Sequence, residues 1–322
     1  MMLNKFKFSA LAVLLGASVA STALAQDKFV AITAIVEHPA LDAVRDGVIK
    51  QLEKDGFVKD KNIKIKYQSA QGNTGTAAQI ARQFIGEKPD VIVAIATPSA
   101  QAMVAATKDI PVVFSAITDP IAAQLVKSAE PSNTNVTGVS DVLELGPQID
   151  LIKKVVPKVK KIGVVYNPGE ANSAVVVKKL KEILSSEGLE LIEAAAPRSV
   201  DVSPAARSLV GKVDAIYTTT DNNVVSSYEA LVKVGNEANI PLIASDTDSV
   251  PRGAIAALGL NYFNLGEQTG TVVTRILKGE KPGMIAYETS KNLALHINKK
   301  AAAEQGVTLS DDLVKSAAKV IE

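Results

Sequence analysis

Residues 88–103 read KPDVIVAIATPSAQAM and residues 109–120 read DIPVVFSAITDP. The same design returns at 212–227, KVDAIYTTTDNNVVSS, and at 239–250, NIPLIASDTDSV. Asp90 aligns with Asp214 and Thr97 with Asp221, each pair 124 residues apart, and Pro111 aligns with Pro241 at a spacing of 130. Each copy is an apolar strand ending in small polar residues, a helix, and a second strand that ends the same way. Strand, helix and strand at this spacing make right-handed βαβ units and parallel sheets. The reading is α/β: two Rossmann-like lobes whose polar strand ends face each other across one cleft.

The flanking sequence extends both lobes. Phe29–Val36 is a nearly unbroken apolar run, as in a strand buried on both faces. Leu41, Val44, Val48 and Leu52 form one helical stripe over about 40–55, and Gly56 stops it. A strand at 62–67, a polar turn at 71–76 and a helix over about 77–84 follow. Beyond 136–139 the pattern predicts a helix at 145–155, a strand at 161–166, a helix at 174–184 and a strand at 189–194. After the second copy come a strand at 254–258, a helix at 265–277 and a short mixed tail.

The first 26 residues, MMLNKFKFSALAVLLGASVASTALAQ, have the form of a secretory leader. Lys5 and Lys7 precede an apolar run shorter than the ~20 residues a membrane span needs, and Ala23-Leu24-Ala25 offers a cut after residue 25. With no cysteine at the cut, lipid attachment through Cys is not expected. The chain has no cysteine at all, which excludes disulfides, thiol catalysis and Cys-bound metals. With 35 basic and 34 acidic residues, loss of two leader lysines turns the net charge to −1, and no nucleic-acid partner is expected.

Four strand ends are candidate ligand contacts. At Ala96–Gln101 a helix begins near Pro98, so its free N–H groups can hold an anion, with the hydroxyls of Thr97 and Ser99 and the backbone at Ala100 beside them. Equally, Ser99 reads as an ordinary cap. At Ser115–Pro120, contacts through Ser115 or the backbone at Ala116 are expected, and Thr118 or Asp119 can cap a following helix. At Thr218–Asn223, Asp221 can cap a helix or face the ligand, and Asn222 can offer its amide to a carboxylate or an amine. Asp246, at the end of an apolar strand, suits a ligand ammonium in a partly dry cleft. His38 belongs to the rim of the first lobe and Tyr166 to that of the second, beside Asn167 and Glu170. Helix N–H groups on one lobe and an acid on the other match the two ends of an α-amino acid. Similar polar ends also suit a sugar, although this chain has no tryptophan and few other aromatics.

Catalytic signatures are missing from the sequence. His38 and His296 are the only histidines, and there is no HExxH, no G-x-S-x-G, no GxGxxG and no P-loop. Asp246 and Asp248 form a carboxylate pair without a third partner. No enzyme, metal or cofactor is expected.

These segments carry a family resemblance: ATPSAQ (96–101), SAITDP (115–120), IGVVYNPGEANS (162–173), TTDNNVVS (219–226), IPLIASDTDSVPRGAIAALGLNYFNLGEQTG (240–270) and ILKGEKP (276–282). Together they resemble the substrate-binding proteins of ABC transporters, in the type I periplasmic binding group related to tryptophan- and tyrosine-binding receptors. The resemblance implies two lobes joined by three crossover segments, near 139–141, near 260–262 and around Glu288. It implies a first lobe of 28–139 with 262–287 and a second of 140–261 with 288–322. It also implies that Thr97–Ser99, Ser115–Ala116, Asn222 and Asp246 clasp an L-amino acid, with Tyr166, Tyr217, Phe114 and Tyr262 available to an aromatic side chain. Further implications are an ABC permease as partner, a monomer, and a soluble periplasmic location. A purine, a sugar or a small amide remains an alternative ligand, and a signalling role an alternative use.

Overall fold

The computed structural model describes residues 28–322; the expected leader, residues 1–25, lies outside the described residues. The first lobe runs β1 (Lys28–Ala34), α1 (Pro39–Lys54), β2 (Ile63–Ser69), α2 (Thr74–Glu87), β3 (Val91–Ile95), α3 (Thr97–Ala106), β4 (Val112–Ile117) and β5 (Val136–Ser140). The second runs α4 (Leu145–Val155), β6 (Lys161–Tyr166), α5 (Ala171–Ser186), β7 (Glu190–Ala195), α6 (Val202–Ser208), β8 (Ala215–Thr218), α7 (Asn222–Ser226), α8 (Tyr228–Ala238), β9 (Leu242–Ala244) and β10 (Ala256–Leu260). Then come α9 (Tyr262–Leu277), β11 (Glu288–Thr289), β12 (Leu293–Asn298), α10 (Lys299–Glu304), α11 (Asp311–Lys315) and β13 (Lys319–Ile321).

The strands form two sheets, ordered β11-β5-β4-β3-β1-β2 and β13-β12-β10-β9-β8-β6-β7. All pairings are parallel except β10 with β12. The chain passes between sheets three times, at 141–144, at Asn261 and at 290–292. Two details correct the expected boundaries. β5 extends to Ser140, and Glu288 and Thr289 pair with Val139 and Ser140 on the first sheet, so the third crossing follows Thr289. This short strand covers what would otherwise be an open edge of β5.

The aligned aspartates do the same job in both copies. Asp90 Oδ2 accepts the N–H of Phe29 at 2.7 Å, and Asp214 Oδ2 accepts those of Lys160 and Lys161 at 2.8 Å. Each fixes the start of one strand, β1 or β6, to the residue just before the strand paired beside it, β3 or β8. Helix starts follow caps more closely than apolar stripes. α2 begins at Thr74, three residues before its first buried alanine, because Asn73 Oδ1 accepts the N–H of Thr76.

α9 leaves the second sheet and packs on the first lobe against α1. Leu265, Val272 and Val273 on its inner face are fully buried, each worth about 1.5–3 kcal/mol of hydrophobic stabilisation. The helices touch at backbone distance. A Cβ on Gly47 would lie 2.2 Å from the carbonyl oxygen of Phe263, and one on Gly266 would lie 2.2 Å from that of Val44. No side chain fits at either position. Gly47→Ala is therefore expected to lower the unfolding free energy in urea by about 1–3 kcal/mol or more. Gly86→Ala, on a helix face open to solvent, should instead raise it by about 0.5–1 kcal/mol.

Candidate ligand-binding cleft

The carboxyl ends of the two sheets face each other across a cavity of about 370 Å³, counted with the solvent space open to it. From the first lobe it is lined by His38, Ala96, Thr97, Ala116 and Thr118, and from the second by Asn172, Thr220, Asn222 and Asp246. Asp141 and Tyr262, beside two of the crossings, and the apolar Ala40, Leu41 and Val225 complete the wall.

The first-lobe wall presents donors. Ala96 has φ 70° and ψ 154°, a region nearly reserved for glycine, and Ala116, at the end of the next strand, has φ 55°. Two strained alanines at adjacent strand ends beside one cavity cost of order 1–3 kcal/mol each. The turn at Ala96 leads directly into α3, which has no side-chain cap. The N–H groups of Thr97 and Ser99 have no intrahelical acceptor, and Pro98 has no N–H. His38 caps α1, its Nδ1 accepting the N–H of Leu41 at 3.4 Å. That bond places the proton on Nε2, a further donor. Burial, and then the charge of Arg252, lower the His38 pKa to about 3, so the ring is neutral.

The second-lobe wall and the crossings present acceptors. Asp246 is buried, its carboxylate held by the N–H of Ser249 at 2.8 Å and the Ser249 hydroxyl at 2.7 Å. Asp141 accepts the Tyr262 hydroxyl at 2.9 Å, while its Oδ1 is buried without a partner. Burial raises the pKa of both carboxyls, so a cationic partner in the cavity stabilises their charged forms. The Asn172 Oδ1 is likewise buried and unpartnered. The amide of Asn222 donates to Glu170 Oε2 at 2.6 Å, which commits one of its N–H groups away from the ligand role expected of it.

The lobes touch directly. Thr118 Oγ1 lies 3.3 Å from Thr220 Oγ1, and Lys179 Nζ lies 3.1 Å from Asp119 Oδ2. Beyond the threonine pair a second compartment of about 460 Å³ opens, with apolar walls of Val142, Leu143, Leu145, Val175 and Val176 and with Tyr217 at its side. Unpartnered, buried hydroxyls of Thr219 and Ser245 also face it.

Of the expected contacts, His38, Thr97, Ala116, Asn222 and Asp246 line the cavity. Five others point elsewhere. Ser115 alternates away from Ala116 along β4, and its hydroxyl meets Thr269 Oγ1 of α9 at 2.7 Å. The Ala100 N–H is spent on the Ala96 carbonyl. Ser99 is buried behind the first turn of α3, its hydroxyl unpartnered. Asp221 is saturated by the N–H groups of Asn167 and Val224 and the hydroxyl of Ser173. Tyr166 turns outward, its hydroxyl donating to Glu193. No helix follows Asp119, which closes a turn by accepting the N–H of Ala122. Phe114 is buried in the first-lobe core. Sequence reasoning did not single out Asp141, Asn172 or Thr220 as ligand contacts. Their signal was position: Asn172 follows the β6 end, and Asp141 opens a crossing. Among the described residues no group of three or more His, Asp or Glu side chains is placed to hold a metal ion.

Two α/β lobes, three crossings and one polar cleft between them define a type I periplasmic binding protein. The sequence profile of the ABC transporter substrate binding protein family matches residues 29–321. The chain belongs to that family, the substrate-binding proteins of ABC transporters. It is 43% identical over 273 residues to a tyrosine-binding protein of Clostridioides difficile, an alignment covering 85% of this chain and 79% of that protein. Its fold is similar to that of an ABC domain from Streptococcus pneumoniae in complex with L-Trp, with TM-score 0.88, 34% identity, and coverage of 92% of this chain and 100% of that one. It is also similar to the ligand-free, open structure of a substrate-binding protein with adhesive properties from Clostridium difficile, with TM-score 0.68, 42% identity, and coverage of 91% and 99%. No helix among the described residues is long and apolar enough to cross a membrane.

His38 gives the cleft a pH signature. The ring is neutral in the folded protein down to about pH 3 but takes up a proton near pH 6.5 once unfolded. Its contribution is complete above pH 6.5 and is lost as pH falls from there toward 3, by about 1.4 kcal/mol per pH unit. His38→Asn keeps a capping acceptor and removes the titration. Scanning calorimetry between pH 7 and pH 4 should show a shallower fall in Tm for that variant than for wild type.

Proposed function

We propose that the protein captures a free L-amino acid with an aromatic or other large apolar side chain in the cleft and delivers it to the permease of an ABC importer. It works as a monomer in the periplasm, without chemistry on the ligand. One observation carries this reading: the two walls have opposite polarity. The uncapped start of α3 and the Nε2–H of His38 favour a carboxylate. Opposite them, Asp246, Asp141 and the two asparagine oxygens favour an ammonium. A zwitterion then fits in one orientation, and the apolar second compartment beside Asp141 suits its side chain. The tyrosine-binding and L-Trp-bound relatives support the same ligand class.

Binding acts through closure. Donors belong to one lobe and most acceptors to the other, so only the closed form satisfies both ends of the ligand, which therefore shifts the population toward closure. The contacts Thr118–Thr220 and Lys179–Asp119 support a closed arrangement here. So does the higher TM-score with the L-Trp complex than with the open structure, although identity to the open one is greater.

Screening the twenty amino acids by thermal shift, then calorimetry, tests the reading, since a true ligand raises Tm by linkage. Unchanged Tm across the whole panel would sink it. Asp246→Asn keeps the cap on Ser249 and removes the charge facing the ammonium. It should weaken amino-acid binding by about 100-fold, the effect of losing a desolvated charge partner. Asp119→Asn keeps the acceptor for the Ala122 N–H and removes only the charge of a partly exposed inter-lobe pair. It should cost no more than about fivefold in affinity, in line with the ~1 kcal/mol ceiling of such pairs.

A further inference from the structure

Glu170 is a buried acid with no ion-pair partner and no cavity wall of its own. It occupies the N-cap position of α5, yet its side chain does not cap that helix. Its Oε2 instead gathers three donors: Asn222 Nδ2 at 2.6 Å, Asn222 N–H at 3.3 Å and Asn172 Nδ2 at 3.3 Å. Both asparagines line the cavity. In its ionised form, which prevails above about pH 7, Glu170 cannot donate, so either carboxamide turned over would then set oxygen against oxygen. Asn172 Nδ2 is further committed to the Thr220 carbonyl at 3.2 Å and to Ser173 Oγ at 3.3 Å, leaving its Oδ1 as the unpartnered, buried atom.

We infer that Glu170 is a specificity-determining positioning residue: by holding the amide N–H groups of Asn172 and Asn222, it turns both carboxamide oxygens to the ligand and makes this wall select an ammonium over a hydroxyl. The inference rests on the amino-acid reading above. A hydroxyl has a single hydrogen to give, whereas an ammonium has three, which a wall of acceptors satisfies. The arrangement is costly. Burial, and then the neighbouring Asp221 charge, push the Glu170 carboxyl up to about 7. Acids shifted in this way beside a cavity cluster at functional sites.

The test compares L-tyrosine and L-tryptophan with their α-hydroxy counterparts, 4-hydroxyphenyllactate and indole-3-lactate, by calorimetry or competition on the wild-type protein and two variants. Wild type should prefer the amino acid by about 100-fold or more, because exchange of the ammonium leaves buried acceptors unpaired. Glu170→Met fills the same space without an acceptor and frees both carboxamides to turn. Its preference should fall below about tenfold, through weaker binding of the amino acid alone. Glu170→Gln keeps a carbonyl oxygen for the same donors and should hold the preference within about threefold of wild type. If Glu170→Met weakens both ligands equally, or changes neither, the positioning role is overturned. If Glu170→Gln collapses the preference as fully as Glu170→Met does, charge and not orientation is responsible, which also overturns it. Should Glu170→Met fail to fold, Glu170→Ala carries the same comparison. A wild-type protein that binds neither amino acid defeats the underlying ligand assignment before any variant is measured.

Discussion

The Tyr262 hydroxyl and the Asp141 carboxylate meet at 2.9 Å, joining two of the three segments on which the lobes are hung. Much of the site depends on that bond. It holds a carboxylate at the inner end of the cleft, beside both compartments, where burial disfavours its charge. It leaves one oxygen of Asp141 without a partner. The same residues mark where the backbone passes between the lobes and where a buried carboxylate reaches the cavity.

Duplication supplies two walls, and a single cap makes them different. In the second copy Asp221 occupies the helix start, accepting the Val224 N–H and the loop amide of Asn167. Aligned with it in the first copy is Thr97, and α3 has no side-chain cap. One helix terminus is thus filled by the protein's own carboxylate, and the other has no side-chain acceptor on its first N–H groups. The second lobe adds buried acids and orients its carboxamides with Glu170. The polarity across the cleft follows from these few substitutions on a common frame.

Much of the fold was legible because its signals are local. Apolar runs such as Val91–Ile95 and Val112–Phe114 read as buried strands, and Asp90 and Asp214 recur at one spacing with one role. Thr97, Ala116 and Asp246 were legible in the site because parallel strands bring their carboxyl ends to one edge. Ser115 and Tyr166 were misplaced because side chains alternate along a strand, and a shift of one residue reverses the face. Asp221 looked like a ligand group because a capping carboxylate and a binding carboxylate have the same sequence signature. Asn172 and Asp141 come from separate segments whose meeting no spacing rule reports.

By itself the sequence determined the two α/β lobes, the cleft between their strand ends, and the chemical types available there, since periodicity and capping act over a few residues. Tertiary structure alone decided which of those groups face the cavity. It set the strained backbone at Ala96 and Ala116, the close crossing of α1 and α9 at Gly47 and Gly266, and the amide orientations imposed by Glu170. Each of these arises where residues far apart in the chain compete for the same space or the same hydrogen bond, and that competition exists only in the folded molecule.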